Sequence, residues 1–154
     1  MSLRYCISEP FMTRPTDSLI IFIARIALAV LFLWGGAMKL LGYAGFIAYL
    51  HAHGVPYAQF MAPIATGVEL LGGLALVFGV RMRFVALVLA AYTIVTAVLG
   101  HDFWNITEAV HQQDAVVHFW KNIAIAGGFL LLAVTGAGRA SIDGLRAPRG
   151  GLRG

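Results

Sequence analysis

The chain has 154 residues, of which 60% are hydrophobic and 12% are charged, and its formal net charge is +4. A domain of this size cannot hide so much apolar surface in a core, so the composition excludes an ordinary soluble globule and predicts contact with lipid. Cys6 is the single cysteine, which excludes an intramolecular disulfide and dithiol redox chemistry within this chain.

Four apolar stretches of about 20 residues follow one another along the chain. They cover residues 18 to about 41, about 61 to 80, 84 to about 103, and about 116 to 137. Only helices or closed barrels satisfy the backbone in hydrocarbon, and these stretches lack the polar alternation of a barrel strand. The sequence therefore predicts an all-α integral membrane protein, a bundle of four transmembrane helices.

The basic residues predict the orientation of this bundle. Arg4 and Arg14 precede the first helix, Arg81 and Arg83 lie between the second and the third, and four further arginines follow the fourth. Because cytoplasmic loops carry the excess of basic residues, we expect both termini in the cytoplasm and a multi-pass protein of the cytoplasmic (inner) membrane. The same residues favour anionic lipid headgroups, not nucleic acid, as a partner.

The chain divides into three segments. We expect residues 1–17 to form a cytoplasmic tail, residues 18–138 the transmembrane domain, and residues 139–154 a basic, disordered tail. A short interfacial helix is predicted between the first two spans, ended by Gly54 and Pro56. Its apolar and aromatic positions recur at helical spacing, at Phe46, Tyr49, Leu50 and His53.

Glu69 is the one charged residue in "GVELLGGLALVFGV" of the second span. Small residues mark the sides of membrane helices that pack closely, and Glu69 lies among them, so we expect its carboxylate to point into the bundle. An unpaired charge at this depth costs about 3 kcal/mol on insertion scales. The small and polar positions at helical spacing around it are Ala62, Ala65, Thr66, Gly72 and Gly73.

Two basic residues of the first helix are candidate partners of Glu69. Arg25 and Lys39 are separated by close to four helical turns and therefore lie on nearly the same side of that helix. The sequence leaves three alternatives open: Glu69 pairs with Arg25, pairs with Lys39, or is protonated. Each places Glu69 in a proton or ligand site or in an ion pair that fixes helix packing.

Further polar candidates lie toward the outer ends of the third and fourth helices. His101 in "GHDFW" is expected at the level of Lys39 and Lys121, and Asn122 follows Lys121 on the fourth helix. Lys39 and Lys121 are also typical of lysines that anchor a helix at the membrane surface. The histidines match no specific metal-binding pattern, so we predict no metal site.

The sequence resembles the DoxX family of small bacterial membrane proteins with four helices, over about residues 18 to 145. This resemblance implies a four-helix bundle and, because members are described as quinone-linked or as oxidoreductases, a link to quinone. The motifs that carry it are Arg25, Gly36 and Lys39; Glu69, Gly72, Gly73 and Gly79; Lys121, Asn122, Gly127 and Gly128; and "GAGRASID".

Two classes of function are open at this stage. In the first, the chain is a quinone-linked oxidoreductase subunit in which Arg25, Lys39, Lys121, Asn122 or His101 bind the ligand and Glu69 carries protons. No flavin, haem or iron–sulfur ligation is evident, so a redox partner protein would supply the electrons. In the second, the chain is an anchor or scaffold of a redox or stress-response complex, or a small solute carrier. Self-association into a homo-oligomer is left open.

Overall fold

The computed structural model describes residues 15–146, and over that range the chain is helical, without a β-strand. Four of the helices are long and apolar enough to cross a membrane, which confirms the predicted bundle. A 3₁₀ turn at Phe103–Asn105 lies between α4 and α5. The helices are α1 (Pro15–Leu41), α2 (Tyr43–Ala52), α3 (Ala58–Phe78), α4 (Met82–Gly100), α5 (Ala109–Thr135) and α6 (Ile142–Arg146).

The two ends of the bundle differ in what they carry. Since α1, α3, α4 and α5 run in alternating directions, the start of α1 and the end of α5 lie at the same end, which we call the terminal end. The opposite, distal end carries α2 and the 3₁₀ turn. α2 is the short helix predicted between the first two spans. The placement of the terminal end in the cytoplasm stays a prediction.

The helix α5 begins at Ala109, earlier than the predicted start at about residue 116. The added turns contain the polar run "HQQD". Hydropathy marks where a helix enters hydrocarbon, whereas the helical backbone continues into the polar region beyond it, which accounts for the difference. In this segment Nδ1 of His111 lies 3.1 Å from Oε2 of Glu108, and both side chains are exposed.

The segment after α5 departs from the predicted disordered tail. Residues 139–146 include α6, and the two carboxylate oxygens of Asp143 accept the backbone N–H groups of Arg81 and Met82 at 2.9 and 2.8 Å. These N–H groups begin α4 and have no intrahelical acceptor, which is why a carboxylate is stabilising there. The remainder of the predicted tail and the first 14 residues, with Cys6, lie outside the described residues.

The four spanning helices associate chiefly as two pairs, α1 with α3 and α4 with α5. A shared core joins the pairs, in which the ring of Phe32 meets that of Phe129 edge to face at 5.2 Å and both rings are buried. Small residues allow close approach: a Cβ on Gly72 would lie 2.6 Å from the side chain of Leu89. Leu71, by contrast, is 71% exposed, as expected for a side chain that faces lipid.

Candidate functional site

Glu69 is held by Lys39 in the distal half of the bundle. The Nζ atom of Lys39 donates to both carboxylate oxygens of Glu69, each at 2.7 Å. The side chain of Glu69 is 10% exposed and that of Lys39 is 26% exposed. Of the alternatives left open by the sequence, the structure has the pair of Glu69 with Lys39 and not the pair with Arg25. This ion pair joins α1 to α3.

Tyr92 completes this arrangement, and the sequence reasoning missed it. Its hydroxyl donates to Oε1 of Glu69 at 2.7 Å, which connects α4 to the pair formed by α1 and α3. A tyrosine in the middle of an apolar span needs a hydrogen-bond partner for its hydroxyl, and that rule could have identified Tyr92 beside Thr93 and Thr96. Glu69 thus accepts three hydrogen bonds from two donor residues.

Two adjacent glycines make room for the carboxylate. A Cβ on Gly35 would lie 3.0 Å from Oε2 of Glu69, and a Cβ on Gly36 would lie 3.2 Å from Cβ of Glu69 and 2.9 Å from the side chain of Leu70. The "GG" of α1 therefore lets α3 approach closely enough for the side chain of Lys39 to reach Glu69.

Two cavities meet at this cluster. The first, which we call the α1/α5 chamber, has a volume of about 300 Å³, and the second, the α2/α4 chamber, has a volume of about 550 Å³. Both are lined by Lys39, Glu69, Tyr92, Thr96, His101 and Asn122. Only the first is lined by Leu31, Phe32, Thr93, His118, Lys121 and Ile125. Only the second is lined by Phe46, Tyr49, Leu50, Met61, Val95 and Leu99, among others.

The remaining distal candidates lie together on these walls. His101 and Asn122 border both chambers, and Lys121 borders the α1/α5 chamber. The ring of His101 stacks on that of His118 at 5.1 Å. Within residues 15–146 there is no group of three or more His, Cys, Asp or Glu side chains that could hold a metal ion. The chemistry available here is that of hydrogen-bond donors around one carboxylate.

The helix α2 forms part of the wall of the α2/α4 chamber. Its Tyr49 hydroxyl donates to the backbone carbonyl of Gly100 at 2.9 Å, which fastens α2 to the end of α4. Burial and the nearby negative charge of Asp102 raise the pKa of Tyr49, so the hydroxyl keeps its proton for this bond. The ring of Phe46 lies 5.4 Å from Nζ of Lys39 and gives the cation an aromatic face.

Arg25 lies in the terminal half of the bundle and takes no part in the distal cluster. The guanidinium is fully buried, and all its hydrogen bonds within residues 15–146 go to backbone carbonyls. Nε donates to Leu76 at 2.9 Å and Nη2 to Val77 at 3.0 Å. Its Nη1 donates to Ala137 and, at 3.1 Å, to Ala140. The alternative in which Arg25 pairs with Glu69 is therefore wrong, and Arg25 lies apart from the other predicted ligand-binding residues.

The physical reason is that helix ends leave carbonyls without partners. Leu76 and Val77 are near the end of α3, and Ala137 and Ala140 follow α5. The first two carbonyls carry the negative end of the dipole of α3, and the other two lie in the non-helical segment after α5. A guanidinium with five N–H donors satisfies all four at once. Arg25 thus caps α3 and the segment after α5 together, a structural role.

Replacing Gly79 with alanine should destabilise the protein more than the same change at Gly54. Both glycines have left-handed backbone, with φ of +67° and +68°, but a Cβ on Gly79 would overlap Cβ of Ser141 and lie 2.8 Å from Nη1 of Arg25. A Cβ on Gly54 would meet no neighbouring residue within 4 Å, so Gly54→Ala reports the backbone strain alone. In thermal unfolding of both variants, the free energy of unfolding should fall by about 1–3 kcal/mol more for Gly79→Ala than for Gly54→Ala. Equal losses would contradict the packing of Arg25 described above.

Comparison with known proteins places the chain in a family. The family model DoxX matches residues 20–102. The inner membrane protein YphA of Escherichia coli K12 is 39% identical over 125 residues, which cover 80% of this chain and 88% of YphA. The inner membrane protein YqjF of the same strain is 45% identical over 125 residues, covering 81% of this chain and 90% of YqjF. No solved structure gives a significant match. Together with the four spanning helices, these matches identify the chain as a multi-pass inner-membrane protein of the DoxX family.

Proposed function

We propose that the α2/α4 chamber binds the headgroup of a quinone and that the protein is a quinone-linked subunit of a membrane oxidoreductase. The observation that carries this proposal is the division of the chamber wall into two parts. Phe46, Leu50 and Leu99 offer apolar and aromatic surface. Lys39, His101 and Asn122 offer hydrogen-bond donors on the same wall as the carboxylate of Glu69. A quinone has the same two parts, a flat apolar ring and two carbonyl oxygens that accept hydrogen bonds.

The polar wall also suits the proton chemistry of a quinone. Reduction to the quinol takes up two electrons and two protons, one proton on each carbonyl oxygen. Lys39 has a third N–H beyond the two that it donates to Glu69, and His101 and Asn122 are further donors on the same wall. The hydroxyl of Tyr92 donates to Glu69 at 2.7 Å and so holds the carboxylate beside them. In this proposal Glu69 accepts and releases protons at the cluster, and a redox partner protein exchanges the electrons.

Quinone binding by purified protein tests the proposal. The protein in lipid nanodiscs is titrated with a short-chain ubiquinone analogue and a short-chain menaquinone analogue, and native quinone that co-purifies is measured by mass spectrometry. We expect Tyr92→Phe to weaken binding about tenfold, since it removes the hydrogen bond, of about 1.4 kcal/mol, that holds Glu69 at the proposed site. Tyr57→Phe is the matched control, because Tyr57 is 77% exposed and lies outside both chambers. No binding by the unmodified protein, or equal binding by the two variants, contradicts the proposal.

A scaffold or solute carrier is the competing function, and one observation favours it. Glu69 is fully hydrogen-bonded by Lys39 and Tyr92, so the cluster also serves to join α1, α3 and α4. Glu69→Gln separates the two functions. Loss of quinone binding in a variant that still folds supports the redox subunit, whereas loss of the fold without any quinone binding in the unmodified protein supports the scaffold.

A further inference from the structure

We propose that the α1/α5 chamber is a binding site for a small water-soluble anion, a carboxylate or a tetrahedral oxyanion, distinct from the site in the α2/α4 chamber. The proposal does not depend on what occupies the larger chamber. It is carried by the net charge of the lining residues, by hydrogen-bond donors that make no bond to any described residue, and by the size of the chamber.

The charges that line the α1/α5 chamber do not balance. Lys39 and Lys121 supply two positive charges, and Glu69 is the single carboxylate on its wall. Both oxygens of Glu69 are already taken by Lys39, and one of them also by Tyr92. Over the described part of the chain, Lys121 has no ion pair, so the lining carries a net charge of one positive unit. Lys121 and His118 are exposed, so a ligand from solution can reach them, and the net charge favours an anion.

The hydrogen-bonding groups show the same excess of donors. The side chains of His118, Lys121 and Asn122 lie on one side of α5, at spacings of three and four residues, and make no hydrogen bond to any described residue. The hydroxyls of Thr93 and Thr96, on the facing wall, already donate to backbone carbonyls of α4, at 2.6 Å and 3.0 Å. A ligand rich in acceptor oxygens would satisfy the donors that the protein leaves over.

The size and lining of the chamber favour a small ligand. α1 and α5 meet at Phe32 and Phe129, and the chamber lies beside this contact, between residues 31–39 of α1 and 118–125 of α5. Its polar residues lie at the distal side, where His101 directly follows the last residue of α4, whereas Leu31, Phe32 and Ile125 line its deeper part. Its volume is about 300 Å³, compared with about 550 Å³ for the α2/α4 chamber.

Lys121 and His118 distinguish the two chambers. Both residues line the α1/α5 chamber only, whereas Glu69 and Tyr92 form a wall common to the two. An anion at Lys121 would therefore lie on the opposite side of Glu69 from a ligand in the α2/α4 chamber. Substitution of Lys121 should affect the anion and leave the ligand of the larger chamber in place.

Anion-dependent thermal stability of the full chain tests the proposal. The protein in nanodiscs of zwitterionic lipid is titrated with sodium acetate and, separately, with inorganic phosphate, at constant ionic strength held with chloride. We expect a saturable rise in the unfolding temperature with at least one of the two anions. Lys121→Gln should weaken this response at least tenfold, and Lys121→Arg, which keeps the charge, should retain it.

Arg83→Gln is the matched control, because it removes one positive charge from an exposed residue at the terminal end and should respond like the unmodified protein. No saturable rise with either anion, or an equal rise in Lys121→Gln and Arg83→Gln, would overturn the proposal and leave Lys121 as a surface anchor. Quinone binding, measured on the same variants, should be unchanged in Lys121→Gln. If neither the unmodified protein nor any variant binds quinone, the quinone proposal is contradicted, whereas the result for the anion is unaffected.

Discussion

Replacing Arg25 with alanine should lower the free energy of unfolding by about 4 kcal/mol, because four backbone carbonyls, two of them buried and two partly buried, would lose their donor at about 1 kcal/mol each. The acceptors are the carbonyls of Leu76, Val77, Ala137 and Ala140, and the guanidinium that serves them is fully buried. Arg25→Lys should recover only part of the loss, since an ammonium group has three donors and cannot match the planar arrangement of a guanidinium.

Reversible unfolding in mixed detergent micelles, followed by circular dichroism, measures this effect. Arg83→Ala is the control, because Arg83 is exposed and makes no ion pair with a described residue. A loss for Arg25→Ala no larger than that for Arg83→Ala would show that the carbonyls find other partners, and the capping role would then have to be abandoned.

Replacing Lys39 with methionine should lower the free energy of unfolding by about 2 kcal/mol, a value reduced from the 3–5 kcal/mol of a fully buried pair because solvent reaches part of both side chains. The loss arises because Glu69, whose side chain is 10% exposed, would keep a negative charge without its cation. The double variant Lys39→Met with Glu69→Gln removes both charges and should regain more than half of the loss. Tyr92 can still donate to the amide oxygen of the glutamine.

A double-mutant cycle over the two single variants and the double variant gives the coupling energy of the pair. Thermal and chemical unfolding should both return a favourable coupling of about 1–2 kcal/mol. If the losses of the two single variants simply add, Lys39 and Glu69 are not coupled, and the distal cluster does not hold the helices as described.

The four spans could be predicted because composition and length decide them. A run of about 20 apolar residues is long enough to cross the hydrocarbon core as a helix and too apolar for the surface of a soluble domain. The small residues around Glu69 indicated correctly that its carboxylate faces the bundle. The sequence also placed Lys39, Asn122 and His101 toward the same end as Lys121, where the structure brings them together around two cavities.

The partner of Arg25 could not be predicted because its acceptors are backbone atoms. Side-chain patterns suggested Glu69 as one possible counter-ion of Arg25. The guanidinium instead reaches carbonyls at the end of α3 and in the segment after α5, and the sequence does not show that these two parts of the chain lie together. The role of Asp143, the last residue of the motif "GAGRASID", was missed for a similar reason. Its carboxylate accepts the first N–H groups of α4, and this contact depends on how the chain folds back after α5.

The hydrogen bonds of Arg25 also bear on how the protein is assembled during synthesis. The residue enters the membrane with the first helix, yet its acceptors lie 51, 52, 112 and 115 residues further along the chain. A chain is made from its N-terminus, so the charge has its first two acceptors when α3 is in place and its full set only after residue 140 has emerged. Completion of the fold therefore waits for the last membrane helix and the short segment that follows it.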